Sequence, residues 1–104
     1  MDTTLINAWL AGLLEGEGYF GKGYPSQPKQ ASIALEMTDK DIISRVSKLW
    51  GVKYCAPRVR DSNWSQTYKL QIRGARAIKW MKEIYPYMGL RRQARIDEVL
   101  KHCQ

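Results

Sequence analysis

Histidine occurs once, at His102, and cysteine twice, at Cys55 and Cys103. That inventory cannot furnish a zinc site of standard spacing, shows no disulfide framework and leaves a histidine-based nuclease centre without material. Long hydrophobic runs are missing too, and nothing approaches the ~18 apolar residues of a membrane-spanning helix. The N-terminus has no signal-peptide pattern, because Asp2 is acidic and the following leucines are interrupted. Low-complexity tracts and internal linkers are absent as well. These absences predict one domain over residues 1–104, intracellular (cytoplasmic or organellar), with no secretion signal and no membrane partner. A chain of 104 residues is small to bury a large core alone, so a partner subunit would help.

What is present is positive charge, unevenly spread. The formal net charge is +7 and the isoelectric point near 9.6. Residues 1–40 hold 3 basic and 5 acidic side chains, and residues 41–104 hold 14 and 5. A small basic domain with its charge concentrated in this way is suited to nucleic acid or another anionic surface.

The most informative stretch is 10–20, LAGLLEGEGYF. Ala8, Gly12 and Gly16 form a stripe of small residues at helical spacing, beside Ile6, Leu10 and Leu13. Glycine inside a helix costs roughly 1 kcal/mol relative to alanine, so two of them four apart need a packing reason. A face without side chains lets another backbone approach closely. Glu15 and Glu17 then fall at the helix C-terminus, the negative end of the macrodipole, where carboxylates are disfavoured. Something must compensate, and a bound cation is the obvious candidate.

Residues 10–18, LAGLLEGEG, resemble the LAGLIDADG motif of homing endonucleases, with Glu for Asp at both acidic places. Tyr19 and Phe20 suit the first strand of that fold. The resemblance implies a single-motif, homodimeric protein whose interface is the motif helix through Ala8, Gly12, Leu13 and Gly16. It implies that Glu17 binds the catalytic metal, Mg²⁺ or another divalent cation such as Mn²⁺, with the Gly16 carbonyl as a second contact. Glu15 matches a position that is usually structural.

The rest of the chain reads in order. A first helix runs from Thr3 or Thr4 to about Gly16, and a strand from Gly18 to about Tyr24 ends at Pro25. Ala31, Ile33, Leu35 and Met37 alternate with Gln30, Ser32, Ala34 and Glu36, which predicts a half-buried strand. Thr38 to Asp41 fits a capping box opening a second helix that Gly51 closes. Strands are expected at about 52–60 and 67–73, a third helix at about 75–85, and a last helix from near Arg91. The order is αββαββαα: an α+β fold with a four-stranded antiparallel sheet and helices on one face. It is also the order known for LAGLIDADG domains.

With helices on one face, the other sheet face would carry Gln30, Ser32, Glu36, Lys69, Gln71 and Arg73. Arg58, Arg60 and Tyr54 would join them if Cys55 and Val59 point inward, and Lys22, Gln27 and Lys29 would come from the first hairpin. Arg and Lys suit guanine, Gln adenine, and Glu the cytosine amino group, so this face has the chemistry to read double-stranded DNA. A strand of about eight residues reaches roughly 26 Å, or about 8 base pairs. Cutting both strands of a pseudo-palindrome needs two-fold pairing.

The resemblance adds two further positions. Asp39 falls where the family has a polar residue that orders water, although an acidic residue at a helix N-terminus is equally well explained by the dipole. A basic residue ahead of the last helix corresponds to Arg91 in preference to Arg92. Arginine clamps phosphate but does not readily deprotonate, so electrostatic support suits it better than a base role. The expected function is a site-specific, metal-dependent DNA endonuclease of the kind encoded in introns, inteins or free-standing genes. The alternatives are an RNA maturase of the same fold and a cleavage-inactive DNA-binding protein.

Overall fold

The computed structural model describes residues 3–23, 26, 29–57 and 65–102. Helix α1, Thr3–Glu17, buries Asn7, Leu10, Ala11 and Leu14. Those spacings define one helical face, and Ala8, Gly12 and Gly16 are exposed on another. Strand β1, Gly18–Gly21, follows without a linker. Glycine is required at that junction: a Cβ on Gly18 would lie 2.7 Å from Leu14 Cδ2 and 2.9 Å from the Leu14 carbonyl oxygen.

Strand β2, Ser32–Met37, pairs antiparallel with β1 on one side and with β3, Tyr68–Arg73, on the other. Helix α2, Lys40–Trp50, stands between β2 and β3 in the chain, while α3, Ala75–Ile84, a short 3₁₀ turn at Tyr85–Tyr87 and α4, Leu90–His102, follow β3. Phe20, Ile33, Leu35, Leu70 and Ile72 turn one sheet face into the core, where they meet Leu10, Leu14, Ile43, Val46, Met81, Ile84, Ile96 and Val99. Each fully buried side chain of this size contributes about 1.5–3 kcal/mol, which fixes which face of the sheet is left outside.

Helix α2 ends as expected, on Gly51 in the left-handed region (φ 68°), whose N–H donates to the Ser47 carbonyl. Its start differs. Asp39 is the N-cap in an extended conformation and makes no side-chain capping bond, so the capping box of Thr38 and Asp41 does not form. The third helix stops at Ile84, where the chain tightens into the 3₁₀ turn around Pro86.

The expected fourth strand is the main correction to the fold: among the described residues the sheet has three strands, in the order β1-β2-β3. Residues 52–57 contribute a single bridge, Cys55 to Lys69, with both N···O distances at 2.8 Å. The next ladder bond would need an N–H from Pro57, which has none. The Pro57 carbonyl instead accepts from Gln66 Nε2 at 2.8 Å. Tyr24, Pro25, Gln27, Arg58, Arg60 and Cys103 lie outside the described residues.

Candidate metal-binding carboxylate and nucleic-acid face

The last turn of α1 carries two carboxylates with different surroundings. Glu15 Oε1 accepts the Gly89 backbone N–H. Arg92 Nε donates to the Glu15 carbonyl at 3.1 Å and lies 3.5 Å from Oε2. Its guanidinium also sits 5.9 Å from the centre of the Phe20 ring. The cation demanded by a carboxylate at the negative end of α1 is therefore, for Glu15, a side chain of α4. Gly89 must stay bare for this contact, because a Cβ there would lie 2.6 Å from Glu15 Oε1.

Glu17 is exposed and has no hydrogen bond or ion pair among the described residues. It opens onto a shallow recess of about 240 Å³ shared with Tyr19, Ala34, Glu36 and Lys69. Glu36 accepts a hydrogen bond from Thr67 Oγ1 at 2.6 Å and pairs in register with Lys69. An exposed carboxylate is a hard-oxygen donor of the kind Mg²⁺ takes, since that ion is usually held by one or two carboxylates plus water and substrate phosphate. No group of three or more His, Cys, Asp or Glu side chains converges among the described residues. The residues present fit a metal completed by substrate or a second copy, and do not form a closed cage.

The outward face of the sheet is set by register. Gly21, Ser32 and Arg73 make one row, Tyr19, Ala34 and Gln71 the next, and Glu36 and Lys69 a third. Arg73 Nη2 donates to Gln71 Oε1 at 3.1 Å. Lys22, Gln30, Ser32, Gln71 and Arg73 converge with Tyr19 and Gly21 on a second recess of about 230 Å³. Ser32 forms part of its floor and is buried. Lys29 is exposed nearby in the chain.

Three expected residues sit differently from the simple picture. Cys55 pairs with Lys69 and therefore shares the outer side, which sends Tyr54 to the core side. There Tyr54 packs edge-on against Tyr68, with ring centres 6.0 Å apart and planes at 83°, so it does not join the polar face. Lys22 is held by Glu98, whose carboxyl that hydrogen bond, reinforced by Arg95, lowers below the usual glutamate range. Arg91 is exposed and unengaged among the described residues, whereas Arg92 is the arginine brought against α1. Asp39 is exposed at the start of α2. Among the small-residue positions, Ala8, Gly12 and Gly16 are open and Leu13 is half-buried.

Helix α4 also fastens the free edge of β1. Arg95 Nε donates to the Phe20 carbonyl at 2.9 Å, and His102 Nε2 lies 3.1 Å from the Gly23 carbonyl. Capping such carbonyls blunts an edge strand against stray pairing. Sequence reasoning did not find this strap, nor Tyr19 on the outer face. Alternation would have placed Tyr19 there, opposite the buried Phe20.

The LAGLIDADG-like domain family matches residues 4–85, and the chain belongs to that family. No curated protein matches it significantly. Among solved structures it is similar in fold to the homing endonuclease I-CvuI in complex with its target in the presence of Ca, at 21% identity and a TM-score of 0.66, over 94% of this chain and 65% of that one. The archaeal intron-encoded homing endonuclease I-Vdi141I complexed with DNA aligns at 12% identity and a TM-score of 0.64, over 88% and 63%. The LAGLIDADG meganuclease I-CpaMI bound to uncleaved DNA aligns at 16% and 0.66, over 91% and 34%. The chain thus spans less than two thirds of the length of each of these three neighbours.

Proposed function

We propose that this chain is one subunit of a homodimeric, metal-dependent homing endonuclease that cuts both strands of a long pseudo-palindromic DNA site. The observation that carries the reading is the position of Glu17. It is exposed and has no partner among the described residues, and it sits where the open stripe of α1 meets the polar face of the sheet.

Each part of the molecule then has a task. Ala8, Gly12 and Gly16, with Leu13 and the 62%-exposed Leu5 on the same side of α1, give two copies a surface for close backbone approach. Ideal Cβ atoms built on Gly12 and Gly16 meet nothing within 4 Å, so the room for a second helix exists. Pairing there brings both copies of Glu17 toward one axis. Glu17 and the Gly16 carbonyl would hold a divalent cation, Mg²⁺ or Mn²⁺. When bound, that cation neutralises charge on the phosphate and stabilises the leaving oxygen. Arg91 clamps a neighbouring phosphate, and Asp39 orders water or simply favours the start of α2. Lys29, Gln30, Glu36, Lys69, Gln71 and Arg73 hold and read the duplex, with Lys22 released from Glu98 when a phosphate competes for it.

The test is sedimentation of the purified chain together with Mg²⁺-dependent cutting of a duplex that it enriches from a randomised library. A dimer that cuts both strands is expected. Binding without cutting in any divalent metal would point to a DNA-binding protein, and a monomer that binds only RNA would contradict the reading.

A further inference from the structure

The outer sheet face carries charged side chains at both ends, and its two least polar residues stand in the row between, which Gln71 completes on β3. Glu17 and Glu36 lie at one end, and Lys22 and Arg73 at the other. Between them stand Tyr19 and Ala34, directly paired across β1 and β2. Tyr19 is 59% exposed, and its hydroxyl has no hydrogen bond among the described residues. The ring lies along the strand because Gly21 leaves space, and a Cβ on Gly21 would fall 3.1 Å from Tyr19 Cε1. Ala34 opposite is too short to cover the ring, so the pair forms an apolar notch in a face otherwise built for hydrogen bonds.

We propose that Tyr19 and Ala34 form a reader for the thymine C5-methyl group, placed beside the point of cleavage. The inference rests on the endonuclease reading and names a specificity element within it. Of the groups that base pairs display in the major groove, the thymine methyl is the apolar one. The Tyr19 ring and the Ala34 methyl, from neighbouring strands, offer it van der Waals contact. Tyr19 is two residues from Glu17 in the chain, and both line the recess that also holds Ala34, Glu36 and Lys69. The base it reads is therefore within one or two steps of the phosphate at Glu17.

The experiment selects duplexes from a randomised library with the wild-type chain and with variants, then replaces each thymine of the enriched site by deoxyuridine. That exchange removes the methyl group and nothing else. Wild type should enrich thymine at one position in each half-site close to the cut. Deoxyuridine there should weaken binding about four-fold, the weight of one buried methyl group. Tyr19→Ala should lose both the enrichment and the four-fold effect while keeping preferences elsewhere, and Tyr19→Phe should keep both. Ala34→Gln fills the notch from the other strand and should give the same loss, independently of whether Tyr19→Ala folds. A merely structural Tyr19 would weaken binding at all positions alike.

An enriched, cleaved duplex with no deoxyuridine-sensitive thymine near the cut overturns the assignment and leaves the endonuclease reading standing. So does sensitivity that survives Tyr19→Ala or Ala34→Gln. Failure to enrich any duplex overturns both.

Discussion

Two sides of the same helical turn differ in everything but sequence composition. On the side of α1 facing the α3–α4 junction, Glu15 is tied to Gly89 and Arg92, and just past the helix Gly18 opens β1 where a Cβ would collide with Leu14. On the other side, a Cβ on Gly12 or Gly16 would meet nothing within 4 Å, and Glu17 is exposed with no hydrogen bond or ion pair among the described residues. A carboxylate at the negative end of a helix is costly, and the fold supplies a cation for one and leaves the other bare. The lesson is that glycine and glutamate occur here in two kinds. Gly18 and Glu15 serve the chain's own packing, whereas Gly12, Gly16 and Glu17 have no such contact among the described residues and are the positions that the proposed partner helix and metal would use.

That contrast can be broken by exchanging the two kinds of glycine. Gly12→Leu should abolish pairing, since overpacking costs about 1–3 kcal/mol per site and both copies carry it. The subunit's own thermal midpoint should hardly move, so sedimentation and melting separate the effects. A stable Gly12→Leu dimer would remove α1 from the interface.

Gly18→Ala is the mirror case. Its Cβ would meet Leu14, including the backbone carbonyl, at under 3 Å, so a loss of about 1–3 kcal/mol in chemical denaturation is expected. Glu15→Gln should cost less, about 1 kcal/mol, because a charge-assisted bond is exchanged for a neutral one at a half-exposed site. The smallest effect concerns pH. Lys22, then Arg95, hold the Glu98 carboxyl below its ordinary value near 4.5. A depressed folded value stabilises the fold above the ordinary glutamate range, and this is lost as pH falls through the folded value. Carbon-13 titration should give Glu98 a low midpoint, and Lys22→Ala should raise it.

Much of this was legible in the sequence because local patterns and the fold agree. The LAGLLEGEG stretch placed α1, its open stripe and the strand after it. The alternation at 31–37 gave β2 its inward Ile33 and Leu35, and Gly51 ended α2. What could not be read depended on contacts distant in the chain. Arg92 reaches Glu15 across 77 positions, and no local spacing encodes that choice over Arg91. The side taken by Tyr54 follows from the pairing of Cys55 with Lys69, which a one-residue shift would reverse. Pro57 was visible throughout, and its missing N–H falls on the ladder position that a fourth strand would have needed.

The central claim is that the two glutamates of this turn divide structure from chemistry. The direct measurement is paired binding and cleavage on the enriched duplex by wild type, Glu15→Gln and Glu17→Gln. Glu17→Gln keeps the shape but removes one negative charge from each copy. Its Mg²⁺-dependent cutting should fall by at least the about 10–100-fold that losing a mere outer-shell partner of a metal costs. Its DNA affinity without metal should hold or rise, because a carboxylate near phosphate repels it. Glu15→Gln should cut at close to the wild-type rate once folded. Normal metal-dependent cutting by Glu17→Gln would contradict the account.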